Sequence, residues 1–337
     1  MVTTFSPIAA GWRAAVGWYP EATYGTAVPS VQYHWVGAVQ SMKATIDKQP
    51  ILVYRMDGST DFPAYLLKGV RNVDFSITYW PQDIALLLDD INNIGLSTVS
   101  HTFIIEDFDT TNTYTITGAV ANTVTITGKT ANALEVTITY WCQNIIWGTG
   151  VAGLPVGVTF SADPLNTPFF FSQESVQIPS GTPQVQALTF TGTITNNLYR
   201  VPQFGTDVIR SVPTLTRKAE GTLTATFASI NDVPNERNVP YEYTAVRTTP
   251  YLDPEQLLTP PTPSGLSQQT IRLILGLQGA GANYPPTPAV GTVFYLDYAG
   301  AVLPKIDLTV PISDLVAVEL PWTATNATVA SHAPPAP

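Results

Sequence analysis

At 337 residues the chain is long enough to bury two cores of ordinary size. A net charge of −10 argues against tight nucleic-acid binding, which rests on Lys and Arg neutralising phosphates. The single cysteine, Cys142, excludes an internal disulfide or a thiolate metal cluster and is expected to be a buried small hydrophobe.

Charged residues make up 12% of the chain, about half the usual share. A soluble surface so poor in charge is expected to be covered by partners. No apolar run approaches the roughly 20 residues of a membrane helix. The start, MVTTFSPIAAGWRAAVGW, has no basic region leading into a continuous apolar one, so no secretory signal is expected.

In chain order, residues 1–29 lack a clear period and carry Trp12, Trp18, Tyr19 and Tyr24; they are expected to form an N-terminal arm that packs on something. Residues 30–147 form the first expected domain. Its clearest strands are Val73 to Tyr79 and Leu134 to Tyr140, both alternating with period two and rich in Val, Ile, Thr and Tyr. The long stretch 54–70 between strands is expected to be functional or partner-bound. Pro81 to Gly95 reads as a helix: Asp83 caps it, Ile84, Leu87, Leu88 and Ile91 share a face, and Gly95 ends it. Turns are expected at Thr117-Gly118, Gly128-Lys129 and Ala299-Gly300. Residues 148–168 read as a linker, 169–325 as a second domain with an insertion at about 230–265, and 326–337 as a flexible tail. Leu252 to Leu258 is the counterpart of the helix, with Pro254 at its first position.

The two domains echo one another. A shift of 182 residues lays Gly118-Ala119-Val120 on Gly300-Ala301-Val302, Ile138 on Leu320 and Tyr140 on Trp322, with the apolar phase kept. Upstream the shift is 145 to 146: Ser30-Val31-Gln32 on Ser175-Val176-Gln177, Val39-Gln40 on Val185-Gln186, Arg71 on Arg217, and Ser76-Ile77-Thr78 on Thr222-Leu223-Thr224. The difference implies about 36 inserted residues in the second copy. The expectation is a tandem duplication of a small β-sandwich flanked by one helix.

Catalytic chemistry finds little footing. His34, His101 and His332 stand far apart with no ligand at metal spacing. Gly148-x-Gly150-x-x-Gly153 runs into Leu154-Pro155, where no helix can start to hold a pyrophosphate, and Gly276, Gly279 and Gly281 lack the Lys-Ser/Thr of a phosphate loop. Glu106, Asp107 and Asp109 lack the ligand count of a calcium loop and read as a solvated hairpin end or part of an assembly surface. There is neither a Gly-x-Ser-x-Gly elbow nor a His-Glu-x-x-His run. No enzyme activity, cofactor or metal is expected.

One run carries a resemblance. In Gly17-Trp18-Tyr19-Pro20-Glu21-Ala22-Thr23-Tyr24-Gly25-Thr26-Ala27-Val28-Pro29, a Gly-aromatic step precedes Glu-x-Thr-x-Gly-Thr and a proline. With the order of elements after it, this is similar to the tail tube proteins of long-tailed, siphovirus-type bacteriophages, and most to two-domain chains that build trimeric, pseudo-sixfold rings. The resemblance implies a structural virion protein, assembled in the host cytoplasm, whose stacked rings conduct viral DNA without specific binding. It implies self-association, other tail proteins such as tape measure and terminator as partners, and no membrane. Inter-ring contacts are expected from Trp18, Tyr24, Arg55, Asp57, Asp61 and Lys68. Glu106, Asp107 and Asp109 are the candidates for acids facing the lumen. A tandem β-sandwich adhesin or carbohydrate-binding module, or another virion part such as a decoration or tail-terminator protein, is the alternative.

Overall fold

In a computed structural model the described residues are 14–29, 32–48, 50–53, 65–67, 69–92, 99–107, 112–129, 132–149, 159–160, 169, 174–177, 187–203, 205–227, 269–276, 293–302, 307–309 and 316–332. The first half holds β1 (Ala14–Pro20), β2 (Gln32–Trp35), β3 (Ala38–Lys48), β4 (Ile51–Val53), β5 (Tyr65–Leu67), β6 (Arg71–Trp80), α1 (Ala85–Asn92), β7 (His101–Asp107), β8 (Asn112–Lys129), β9 (Glu135–Cys142) and β10 (Asn144–Thr149). Then come β11 (Thr159–Phe160), β12 (Glu174–Gln177), β13 (Ala187–Thr195), β14 (Val201–Pro202), β15 (Ile209–Ser211), β16 (Lys218–Phe227), β17 (Gln269–Gly276), β18 (Val293–Ala301), β19 (Asp307–Thr309), β20 (Val316–Ala324) and β21 (Asn326–His332).

The protein is mainly β, in a sandwich arrangement. One layer is a single sheet that runs through both halves in the order β3-β6-β9-β8-β13-β16-β20-β19. Against it lie β11-β2-β1-β7-β8-β10 in the first half and β12-β17-β18-β21 in the second. Alternation fixes what each face buries. In β6, Val73, Phe75, Ile77 and Tyr79 point inward and the residues between them do not. Phe75, Phe103 and Tyr140 meet across the first half of the core, with ring centroids 5.1 and 4.9 Å apart; Phe190, Tyr298 and Trp322 do so in the second.

β8 belongs to both layers. Its first part pairs with β7 and β10, its second with β9 and β13, and between them Gly118 takes φ +65°. Gly300 in β18 takes φ +63°. Only glycine adopts this conformation without strain. The turns expected at these two glycines are therefore corrected: each is a kink inside a continuing strand. Gly128 and Lys129, expected as a third turn, are the last residues of β8, and Asn132 N–H donates to the Lys129 carbonyl at 3.1 Å.

Strand by strand, pairing in the second half follows that in the first, each strand at its own offset. Thr117 lies opposite Asn144 and Ala299 opposite Asn326, both 182 residues on. Ile77 faces Ile138 and Leu223 faces Leu320, at offsets of 146 and 182. Met42 faces Ile77 and Phe190 faces Leu223, at 148 and 146, with a bulge after Val39 and after Ala187. Phe103 faces Ile116 and Ile271 faces Tyr298, at 168 and 182. Val16 faces Ile105 and Val176 faces Leu273, at 160 and 168.

Several expectations change accordingly. Ser175-Val176-Gln177 takes the place of β1, not of Ser30-Val31-Gln32; Val185-Gln186 and the helix expected at 252–258 lie outside the described residues. The offset grows by 22 between β16 and β17 and by 14 between β17 and β18; the insertion expected at about 230–265 lies outside the described residues. Residues 14–20 of the expected arm are β1, held between β2 and β7. Residues 326–332 of the expected tail are β21, paired along β18 with Ala327 and Val329 buried. The expected linker contributes the end of β10 and β11, which pairs in parallel with β2.

Candidate assembly interface

The eight-stranded sheet repeats a four-strand unit, β3-β6-β9-β8 followed by β13-β16-β20-β19. The units join at a seam where Ile194 faces Val124, Gly192 faces Ile126 and Thr191 faces Thr127. By the offsets above, β3 corresponds to β13 and β19 to the second part of β8. The two outer strands of the sheet are therefore counterparts of the two strands that meet at the seam. Open edges carry unpaired backbone donors and acceptors, and β3 is exposed along most of its length.

The face of this sheet turned away from the core is rich in threonine. Thr78 and Thr137 hydroxyls lie 3.0 Å apart, and Thr125 and Thr193 3.3 Å apart across the seam. Around them are Thr127, Thr139, Thr191, Thr222 and Thr224. On the same alternation Asp47, Asp74, Glu135, Glu220 and Glu319 stand beside Lys43, Lys129 and Lys218. The face is uncharged over most of its middle, with a small acidic excess.

The Glu-x-Thr-x-Gly-Thr run is a clasp on the β8 kink. Pro20 ends β1, and Glu21 turns its carboxylate into the layer. Its Oε1 accepts from Gly118 N–H at 2.9 Å and Thr102 Oγ1 at 2.7 Å; its Oε2 accepts from Gly25 N–H at 2.8 Å and Ser100 Oγ at 2.6 Å. Gly25 takes φ +74°, and Thr26 N–H closes the turn on Thr23 O at 3.0 Å. Tyr24 is half-buried within the chain, and burial pushes its hydroxyl pKa up.

Two elements cross between the halves. The β14–β15 ribbon of the second half lies on the first: Leu198, Ile209 and Val212 pack on Val120 and Trp141. Arg200 pairs with Asp74, with its guanidinium 4.3 Å over the Trp141 ring, and Arg71 N–H donates to Asp207 O at 2.9 Å. In return α1 lies on β21. Asn92 Nδ2 donates to Val329 O at 2.6 Å, Val329 N–H donates to Asn92 Oδ1 at 2.8 Å, and Arg217 donates to Ile91 O at 2.8 Å. Asp83 accepts from Ala85 N–H at 3.0 Å as the expected cap. Among the described residues the counterparts of Val329 and Arg200 are exposed, whereas Tyr199, the counterpart of Ile51, is itself 57% exposed. Trp147 of β10, which corresponds to Val329, is 64% exposed beside exposed Ile146, and Ile51, Leu52 and Leu67 of the β4–β5 ribbon are exposed.

Of the expected contact residues, Trp18 is 3% exposed, its ring centroid 5.1 Å from that of His101 and 5.5 Å from that of His34. Glu106 lies on β7 in the layer opposite the threonine face, and Asp107 ends that strand. Arg55, Asp57, Asp61, Lys68 and Asp109 lie outside the described residues. Cys142 is buried, and its thiol is held well above its ordinary pKa by burial.

Sequence spacing misses one polar cluster. His101 is buried with Nδ1 3.4 Å from Asp90 Oδ1 and Nε2 3.6 Å from Asp89 Oδ2. Tyr140 donates to Asp90 Oδ2 at 2.6 Å. Burial raises the Asp90 carboxyl to about 6, against the opposing pull of His101 and the Tyr140 hydrogen bond. The folded helix and β7 bring together residues that one-dimensional spacing keeps apart. Among the described residues no group of three His, Cys, Asp or Glu could hold a metal ion, and no helix is long and apolar enough to cross a membrane.

A family model described as phage tail tube protein matches residues 11–246. Comparison with curated proteins gave no match.

Proposed function

From a chain that belongs to the phage tail tube protein family, we propose a subunit that closes into trimeric rings through the free edges of its eight-stranded sheet. The rings stack into the tail tube of a siphovirus-type particle. The observation that carries this reading is the seam. β3 and β19 are counterparts of β13 and β8, which already pair within the chain. A β19 edge meeting β3 of the next copy repeats a junction the sequence can make, and three copies close a pseudo-sixfold barrel. Closure satisfies both edges.

The threonine face then lines the channel. A wall of hydroxyls whose few lysines are outnumbered by acids offers duplex DNA no cluster of cations to hold it. The acids assigned to the lumen are Asp47, Asp74, Glu135, Glu220 and Glu319; Glu106 and Asp107, in the other layer, fall outside it. Arg55, Asp57, Asp61 and Lys68 of the stretch 54–70 supply polar contacts to the next ring. Trp18 and Tyr24 are left out of that contact, because their rings are packed against this chain. Tape-measure and terminator proteins are its tail partners, assembly takes place in the host cytoplasm, and DNA crosses the lumen without specific binding.

The test is negative-stain microscopy with sedimentation of the purified full chain. Tubes or ring-shaped trimers are expected; a species that stays monomeric at high concentration would sink the reading. Transferring the Gly192–Ile126 pair by the two offsets places Ala44 opposite Leu308 of the next copy. Ala44→Cys combined with Leu308→Cys should therefore give covalent trimers on oxidation.

A further inference from the structure

Each half carries a ribbon between the same two strands of its sheet, but the two ribbons have different surroundings. Val53 faces Tyr65 in one and Val201 faces Ser211 in the other, at offsets of 148 and 146. Leu52 therefore stands in the place of Arg200, and Leu66 in that of Val212. Arg200 is 18% exposed, seated on Trp141 and Asp74, and Val212 is fully buried. Leu52 is 48% exposed.

The floors differ in the same way. Val120 faces Trp141 under the β14–β15 ribbon and is 1% exposed. At an offset of 182, Val302 bridges Thr323 through hydrogen bonds of 2.8 and 3.1 Å, and Val302 is only half-buried. Among the described residues, then, there is one ribbon without a floor and one floor without a ribbon.

The two cannot meet within the chain. The β14–β15 ribbon springs from β13 and leans across the seam toward β9 and β6. By the same geometry the β4–β5 ribbon leans across the β3 edge, away from its own sheet. The bare floor lies at β20, six strand spacings from β3, or roughly 30 Å.

Resting on the ring reading above, we propose that the β4–β5 ribbon docks within its own ring, with Leu52 on the Val302–Thr323 floor of the adjacent copy of this chain. The chemistry of the floor matches the exchange of Arg for Leu. Trp141, which takes a guanidinium on its face, is replaced by Thr323. Asp74, which binds Arg200, is replaced by Glu220, and Glu220 is already paired with Lys218 at 2.6 Å. The second floor asks for no cation, so an apolar side chain suits it.

Leu52→Cys and Thr323→Cys are placed on the full chain together, then separately as controls. Assembled protein is treated with a mild oxidant and, in parallel, with a short bis-maleimide. The expected result is a ladder of covalent dimers and closed trimers from the double variant and none from either single variant. Rings or tubes that form normally yet stay uncrosslinked by both reagents would overturn the docking and leave the ring reading standing. A bridge within one monomer, seen as a faster-migrating band, would also overturn it. A double variant that melts like the parent while neither protein assembles would remove the ring reading, and the docking with it. Leu52→Asp should raise the concentration needed for assembly at least tenfold without moving the melting temperature of the monomer; unchanged assembly would count against the docking.

Discussion

β10 and β21 hold matching places in the pairing of the two halves, yet one is covered and the other exposed. Val329 lies under α1, with both its backbone groups held by Asn92. Trp147, its counterpart, has no such cover among the described residues and is 64% exposed. The ribbons repeat the contrast. Hydrophobicity does not separate covered from bare, since exposed Leu52 is more apolar than covered Arg200 while the barer floor has Thr323 in place of Trp141; what differs is which half faces the seam. Where the seam supplies a neighbour the surface is buried within one chain. Where the seam supplies none, the matching surface stays exposed, and the proposed ring gives it to another copy.

The largest test of that contrast places one charge at both members. Val329→Glu should cost the isolated chain about 3 kcal/mol or more, because it buries an unpaired carboxylate. Trp147→Glu should leave the unfolding midpoint within error and abolish sedimentable assemblies. Equal losses of stability would erase the distinction between covered and bare. Next come the kinks. Glu21→Ala strands four donors at the Gly118 kink and should cost about 3 kcal/mol in denaturant unfolding. At the Gly300 kink, the Thr325 hydroxyl donates to Ala299 O at 3.0 Å, and Thr325→Ala should cost only about 0.5 to 1 kcal/mol.

α1 covers the second half, and Asp90 on it adds a pH dependence. Its carboxyl is raised from 3.8 to about 6 in the folded chain, so the folded state binds this proton more tightly than the unfolded state. The associated stability is complete below about pH 3.8 and is lost as pH rises through about 6. Asp90→Asn should remove that slope, gaining on the order of 2 kcal/mol over the parent at pH 7.5 and little at pH 4. Melting curves across this range would settle it. The smallest effect separates the ribbons: Arg200→Ala should cost the monomer about 1 kcal/mol through the ion pair and the Trp141 contact, whereas Leu52→Ala should cost it almost nothing.

Much of the sandwich could be read from alternation. β6 and β9 fall where period two predicts them, and α1 falls within the expected 81–95 span, because each buries one face against one core. β1 escaped because Ala-Ala-Val-Gly-Trp-Tyr-Pro sits between two strands and buries Ala15, Val16 and Trp18 with little alternation. β21 escaped because its small polar sequence is held by a helix more than two hundred residues away. The kinks at Gly118 and Gly300 looked like turns because a glycine that bends a strand and one that ends it share the same backbone freedom. The assembly surface was the least legible. Its content is a difference in exposure between matched positions, which exists only once both halves are folded.

The β8–β13 junction is tethered by the chain itself, so it closes at a rate indifferent to how dilute the protein is. In the proposed ring, six single units would need five bimolecular encounters before the last junction closes within the complex; this chain has every second weld already made and needs two. Its polymerisation should therefore start at lower concentration and fall less steeply on dilution. The two kinds of weld are also free to diverge, one tuned for permanence and the other for timing.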